Sequence, residues 1–234
     1  MQIQSIKTRV FNENEDLISF ILQYVKKIPE GSVLVVTSKI VALSEGRTVS
    51  DTRISTRERL IKEESDFALR TKHTWLTIKD GMVMASAGID ESNAKGKLIL
   101  LPKDSFKSAD FIRKELKKKF KVKKLGVLIT DSRIFPLRAG IVGVSLGYAG
   151  FKGVRNYIGK KDIFKRVLKF SRTDIADSLA TSAVLCMGEG NEQQPLALIT
   201  NASVEFIEKV DKKELFIDPK EDLYLPLFES ILQE

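Results

Sequence analysis

Residues 125–153 constrain the fold more than any other stretch. Leu125 to Ile129 is an apolar run long enough for a buried strand and too short for a buried helix. It breaks off at Thr130, Asp131 and Ser132, three oxygen-bearing side chains in succession. A carboxylate at the end of a buried strand is costly unless a cation meets it. Arg133 and Arg138 follow closely, and Pro136 bars a helix between them. Glycines then recur at 140, 143, 147, 150 and 153, residues that let backbone approach a ligand or turn with positive φ. The stretch reads as strand, charged loop, then glycine-rich strand and turn. An Asp-Ser pair alone is ordinary turn chemistry. With the arginines and glycines around it, the stretch points to a site for an anion or a metal.

A chain of 234 residues can bury a real core in one or two domains. No apolar run approaches the length of a membrane span, and no basic segment followed by an apolar core opens the chain. The single cysteine, Cys186, excludes an internal disulfide; lying in the apolar run Ala183 to Met187, it reads as a buried packing residue. These features place the expected compartment in the cytoplasm, away from membrane. The net charge is +8, much of it in Lys114 to Lys124. Such a run suggests nucleic acid, but no aromatic stacking pattern interleaves the lysines, and a solvated helix face is the stronger reading. A basic surface also suits small anions such as nucleotides and polycarboxylates.

Taken in order, Ile3 to Val10 reads as an opening strand, and Asn12 or Asn14 as the cap of a helix over 15–27. Ser32 to Val36 is a strand whose end presents Ser38-Lys39 and then Glu45-Gly46-Arg47. Arg53 to Leu69 is a charged helix candidate, and Lys79-Asp80-Gly81 marks a hairpin between flanking strands. Ala87 to Asn93 is a second acidic turn, with Asp90 and Asn93 spaced to share one side of it. A helix is expected over Phe106 to Phe120. Another opens at Thr173-Asp174, where Asp174 and Asp177 favour the helix N-terminus. It ends in the acidic, glycine-rich loop 188–194, followed by a strand at Leu196 to Thr200. The lone histidine, His73, can build neither a zinc site nor a catalytic pair with another histidine.

Four segments therefore carry polar residues to the ends of elements: Ser38-Lys39, Asp90 to Asn93, Asp131-Ser132 and Glu189 to Gln194. Carboxylates beside hydroxyls or amides are hard oxygen ligands suited to magnesium or manganese. Neither a Gly-x-x-x-x-Gly-Lys-Ser/Thr loop nor a Gly-x-Gly-x-x-Gly turn is present, so generic motifs stop short of the ligand.

The ordered set of segments does more. Residues 31–41, Ser44 to Arg47, Ala87 to Asn93, Leu100 to Asp104, Ile129 to Ser132, Pro136 to Gly140, Asn156 to Asp162, Ile175 to Ala180 and Met187 to Gly190 together resemble the coenzyme F420:L-glutamate ligase (CofE-like) family. The resemblance runs over residues 30–200 or so. It implies an α+β fold with mixed sheets and flanking helices, forming an intertwined homodimer. The whole chain 1–234 would be one catalytic unit, open to division into two structural lobes, with 201–234 as a peripheral segment. It further implies GTP-dependent formation of a γ-glutamyl amide between L-glutamate and the terminal carboxylate of a cofactor acceptor. Two divalent cations, Mg2+ or Mn2+, would assist, with K+ as a further candidate.

By position, Asp90, Asp131, Ser132 and Glu192 correspond to metal ligands. Ser38, Lys39, Asn93, Gly190, Asn191, Glu192 and Gln193 correspond to nucleotide contacts. Lys39 and Arg138 are the expected catalytic cations, offsetting negative charge. The chain departs from the family pattern at Thr8 to Glu13, at Leu43 where a lysine is usual, at Ile134-Phe135 and at Ile158. Its Pro136-Leu137-Arg138 and Gly147 to Phe151 segments resemble a folate-linked branch of the family, so folate and the deazaflavin F420-0 are both candidate acceptors. A nucleotide-binding homologue without catalysis and a basic nucleic-acid-binding protein are the competing classes.

Overall fold

The computed structural model describes residues 1–226. In chain order the elements are β1 (Gln2–Ile6), α1 (Leu17–Tyr24), β2 (Ser32–Thr37), α2 (Ser38–Ser44), β3 (Thr48–Val49), α3 (Ile54–Glu63), β4 (Phe67–Arg70), β5 (Trp75–Lys79), β6 (Met82–Ala85) and β7 (Leu98–Ile99). Then follow α4 (Ser105–Phe120), β8 (Leu125–Ile134), β9 (Ile141–Ala149), β10 (Val154–Asn156), β11 (Arg172–Asp174), α5 (Ile175–Met187) and β12 (Leu196–Thr200). The fold is α+β, and the chain divides into two compact units. The expected peripheral segment 201–234 is partly within the first unit, and its residues 227–234 lie outside the described residues. Among the described residues no helix is long and apolar enough to cross a membrane.

The first unit comprises Met1–Arg47 and Pro102–Glu214. Its five-stranded sheet has the order β1-β12-β2-β8-β9, with β2 and β8 parallel and the other pairings antiparallel. Val33, Leu34, Val35 and Val36 are wholly buried, so both faces of the central strands are covered. Each such side chain contributes about 1.5–3 kcal/mol of burial. Helix α5 packs along the sheet and touches β1, β12, β8 and β9, while α4 packs on β8 and β9. Close approach of α5 requires Gly143: a Cβ there would lie 2.5 Å from Val184 Cγ2 and 2.6 Å from the Ala180 carbonyl oxygen. Strand β9 ends the sheet, and α5 supplies bonding partners to it. Asp177 Oδ1 accepts from Ser145 N at 2.8 Å, and Thr181 Oγ1 donates to the Gly143 carbonyl at 2.7 Å. These two side chains are four residues apart and so share one face of the helix.

Several sequence expectations are corrected here. Strand β8 does not end at Ile129 but runs through Thr130, Asp131, Ser132 and Arg133 to Ile134. Opposite the Ile129–Thr130 step an extra residue of β9, Leu146, shifts the register between the two strands. The charged loop shrinks to the hairpin tip 135–140. Ser38-Lys39 is not a strand end but the first turn of α2. The cap of α1 is Asp16, whose carboxylate accepts from Ser19 N at 2.7 Å, and not Asn12 or Asn14. Cys186 is exposed rather than buried, because the helical turn that buries Ala183 and Val184 points residue 186 outward.

The second unit comprises Thr48–Leu101 together with residues from Leu215 onward. A three-stranded antiparallel sheet β4-β5-β6 and the pair β3-β7 pack with α3 around Leu60, Ile61, Trp75, Ile89, Leu98 and Leu100. The β5–β6 hairpin turns through Asp80 (φ 52) and Gly81 (φ 74), the double positive φ that a two-residue hairpin of right-handed twist requires. The helix expected over Arg53 to Leu69 stops at Glu63. Asp66 N then donates to Ile78 O and starts the pairing that makes 67–70 a strand.

Candidate active site

In the first unit, the carboxyl ends of β1, β2 and β8 and the amino end of β12 lie along one edge of the sheet, as the strand directions require. Three of the four sequence-predicted segments meet there: Ser38-Lys39, Asp131-Ser132 and Glu189 to Gln194. Thr37 N donates to Pro195 O at 3.0 Å, which ties the start of α2 to the loop before β12. Thr8 N donates to Gln193 O at 2.9 Å, which brings in the N-terminal segment. That segment is braced by an ion pair between Arg9 and Glu15. The Arg9 guanidinium outweighs the opposing effect of burial and holds the Glu15 carboxyl down to about 2.

Asp131 is the centre of this edge. Its Oδ1 receives a long hydrogen bond from the buried Ser38 Oγ at 3.4 Å, and its Oδ2 is bonded by Arg133 Nη1. Arg133 is 8% exposed and also donates to the Ser132 carbonyl at 2.8 Å. Ser132 Oγ donates to Glu189 Oε1 at 2.5 Å, closing the loop after α5 onto β8. Glu192, the residue predicted to act beside Ser132, folds back instead to accept from Gly190 N at 2.8 Å. Lys39 lies half-buried in the first turn of α2, one residue after Ser38. Arg138 is in the exposed hairpin tip, where the hydrogen bond described for it is its backbone N to Phe135 O. Thus Ser38 and Arg133 meet Asp131, and Ser132 meets Glu189, on successive residues of β8; Arg133 and Glu189 lay in stretches marked in the sequence but were assigned no role there.

Asp90 and Asn93 belong to the second unit. Asp90 pairs with Ile99 through both backbone groups, and its carboxylate accepts from Ser92 N and Ser92 Oγ, each at 2.7 Å. The turn before it holds Ser86, Ala87 and Gly88 at φ 51, 53 and 71 in succession. Left-handed backbone at two non-glycine residues costs about 1–2 kcal/mol each and persists only where surroundings hold it. Here Ser86 Oγ meets Thr74 Oγ1 at 2.7 Å, and Ala87 N donates to the buried Thr77 Oγ1 at 2.9 Å.

The edge suits a hard cation. Its oxygen-bearing side chains are carboxylates and hydroxyls, with Arg133 already on one Asp131 oxygen, and two further hydroxyls, Thr130 Oγ1 and Ser145 Oγ, are buried with no partner among the described residues. They are register partners across β8 and β9. A buried hydroxyl left without a bond costs about 1–3 kcal/mol. Among the described residues no three Asp, Glu, His or Cys side chains are already gathered as a metal cluster.

Behind the edge lies an acidic pair that the sequence suggested only as a helix start. Asp174 caps α5 by accepting from Asp177 N at 2.9 Å, while Asp177 reaches Ser145 N. Burial pushes Asp174 up to about 6, opposed by that N–H bond and reinforced by the charge of Asp177. Burial also raises Asp177, against the Ser145 N–H and the nearby Arg133 charge. A raised carboxyl pKa means the folded chain holds the proton more tightly. The stability this confers is present below the unfolded value near 4 and is lost as pH rises through about 6. Asp174→Asn keeps a capping oxygen and is expected to flatten the fall in unfolding midpoint between about pH 4 and about pH 6. An unchanged slope would show that the pair does not titrate in that window.

The chain matches the family described as F420-0:Gamma-glutamyl ligase over residues 5–201. The chain belongs to this family. It is 35% identical to the coenzyme F420:L-glutamate ligase of Methanococcus maripaludis over 231 residues, covering 91% of this chain and 92% of that one. The enzyme of the same name from Methanocaldococcus jannaschii is 31% identical, covering 88% and 90%, and that of Archaeoglobus fulgidus 30%, covering 83% and 85%. Membership makes the chain an amide-forming γ-glutamyl ligase acting on small molecules. Every candidate site residue, from Ser38 to Gln193, falls inside the matched region.

Proposed function

We propose that the protein uses GTP to join L-glutamate to the terminal carboxylate of a cofactor acceptor, coenzyme F420-0 or folate, through an acyl phosphate. The observation that carries this reading is the family match over residues 5–201 together with the convergence of Ser38, Asp131, Ser132 and Glu189 on one sheet edge. Relatives named for coenzyme F420 favour the deazaflavin acceptor. The departures at Leu43, Phe135 and Ile158 weigh against F420-0, and the Pro136-Leu137-Arg138 and Gly147 to Phe151 segments favour the folate branch.

A carboxylate does not acylate an amine unaided. In the first step an acceptor carboxylate oxygen attacks the γ-phosphorus, forming the acyl phosphate and releasing the nucleoside diphosphate. In the second the glutamate amine attacks the acyl carbon and expels inorganic phosphate, and the amine proton leaves. Both steps ask chiefly for positioning and charge neutralisation. By their places in the motifs, Asp131 and Asp90 are assigned to one divalent cation and Ser132 and Glu192 to a second, for which Glu192 would leave its bond to Gly190 N. Bound there, Mg2+ or Mn2+ supplies neutralisation of the phosphate oxygens. Ser38 orients Asp131, and Glu189 orients the Ser132 hydroxyl. Lys39, in the first turn of α2, adds a positive charge for a phosphate, and the backbone of 190–193, with Asn93 in its own turn, contacts the nucleotide.

Ile134, Phe135, Leu137 and Ile141 are exposed on the β8–β9 hairpin, as are Ile163, Phe164 and Phe170 between β10 and β11. Exposed apolar groups of this kind fit a surface covered by a second copy. The test is a mixed-acceptor assay with GTP or ATP, Mg2+ or Mn2+, with and without K+. Phosphate release and a mass gain of one glutamyl residue on one acceptor are expected, from a preparation sedimenting as a dimer of 26.3 kDa chains. Absence of turnover with both acceptors would remove the proposal.

A further inference from the structure

The lysine run between residues 114 and 124 is not used by the chemistry above, and the structure sorts its members. One face of α4 carries Phe106, Asp110, Arg113, Lys114 and Lys117, spaced to line one side of a helix. Facing it are Glu208, Lys209, Val210 and Lys212, with Ala149 between them, and together they line a half-open cavity of about 500 Å³. That is the size of a small-molecule site.

Six cations line the cavity: Lys107, Arg113, Lys114, Lys117, Lys209 and Lys212. Three carboxylates answer them. Glu208 takes both Arg113 Nη2 at 3.0 Å and Lys117 Nζ at 2.9 Å. Asp110 takes Lys114 at 2.6 Å, and Asp104 is shared between Lys107 at 3.5 Å and Lys212 at 3.1 Å. Three positive charges are in excess. Arg113 is already committed: it is 3% exposed and donates Nε to the Leu125 carbonyl at 2.8 Å. The surplus therefore resides on lysines, which act as compact point charges for phosphate, whereas planar carboxylates favour the arginine fork. Cation-bearing residues stand on two walls of a concave space whose lining surface is mostly apolar, Phe106, Val210 and Ala149 among it. A duplex or single strand would instead need an open basic track.

Leu125 is six residues before Asp131 on β8, roughly 20 Å along an extended strand. The Arg113 end of the cavity thus stands away from Asp131, while its Phe106 end lies beside Gly147, the partner of Ile129. We propose that the cavity is a second binding site, taking a small oligophosphate of about three negative charges.

The probe is inorganic pyrophosphate, about three negative charges near neutral pH, in the presence of EDTA, followed by calorimetry with the whole chain. Saturable binding at one site is expected. The double variant Lys114→Ala/Lys209→Ala removes two lysines, both well exposed to solvent, and should weaken binding at least tenfold with an unchanged unfolding midpoint. Unchanged affinity in the double variant, or no binding to the wild type, would overturn the proposal. Equal binding of a tri-γ-glutamate peptide by the same lysines would overturn the choice of phosphate. Binding only to an oligonucleotide, lost in the variant, would assign the lysines to nucleic acid instead.

Discussion

Asp131→Asn is expected to lower turnover about 10³-fold or more, equivalent to about 4 kcal/mol of transition-state stabilisation. In the proposed ligase the residue lies where the phosphate charge must be met, and an amide is neutral. From sequence alone, loss of this charge could be expected to stabilise the chain by relieving repulsion between carboxylates. The structure argues for the other sign. Asp131 is the partner of the buried Arg133, and Asn leaves that guanidinium without its nearest counter-charge. The loss is modest, about 1 kcal/mol, because Asp177 still lies near Arg133 and Asp131 is itself partly exposed. Asparagine also keeps an oxygen for Ser38. A 4 kcal/mol loss of rate beside a 1 kcal/mol loss of stability cannot come from unfolding. Initial rates over a metal titration, measured with urea midpoints on the same samples, separate the two. Near-normal turnover at limiting magnesium would remove Asp131 from the site.

The second large effect is expected at Gly150. Its φ is +88°, and a Cβ would lie 2.2 Å from the Leu125 carbonyl oxygen and 2.3 Å from Arg113 Nε. Gly150→Ala must therefore bear the left-handed backbone penalty, about 1 kcal/mol. It must also break the bond between a buried guanidinium and a buried carbonyl, about 1–3 kcal/mol for each group left unmet. Together this is about 4 kcal/mol, a large part of the stability of an ordinary domain. Gly140→Ala is the control: its φ is +95°, but nothing lies within 4 Å of the added carbon. It should cost about 1 kcal/mol, since only the backbone term applies. Equal denaturant midpoints for the two variants would show that the close approach at Gly150 carries no energy.

These sites differ in how far they could be read in advance. The strands at 32–37 and 196–200, the helices at 105–120 and 175–187 and the hairpin at Asp80-Gly81 follow from apolar runs, helical spacing and turn chemistry. The acidic residue of the site, Asp131, was visible because its position after an apolar run is unusual. Its surroundings were not. A strand that continues through Thr130-Asp131-Ser132 looks like a strand that stops, because the register shift and the buried arginine that make continuation tolerable are tertiary facts. Helix α2 was hidden for a related reason. Its Ile40, Val41 and Leu43 extend an already apolar strand, and β-branched residues favour strand locally. Glu189 stands 57 residues from its partner Ser132, so no local pattern could distinguish it from Glu192 in the same acidic loop.

The attachment of α5 to the last strand has a further consequence for how the protein behaves in a crowded solution. An open strand edge is a template on which another chain can add its own backbone, and growth of that kind leads to aggregates. At residues 143–145 of β9 the template is already filled, the N–H of Ser145 by Asp177 and the carbonyl of Gly143 by Thr181. Sheet-to-sheet growth along this margin would first have to peel away a helix whose inner face is buried. Association of copies through this margin is thus left to side chains, which can choose a partner, and withheld from backbone, which cannot.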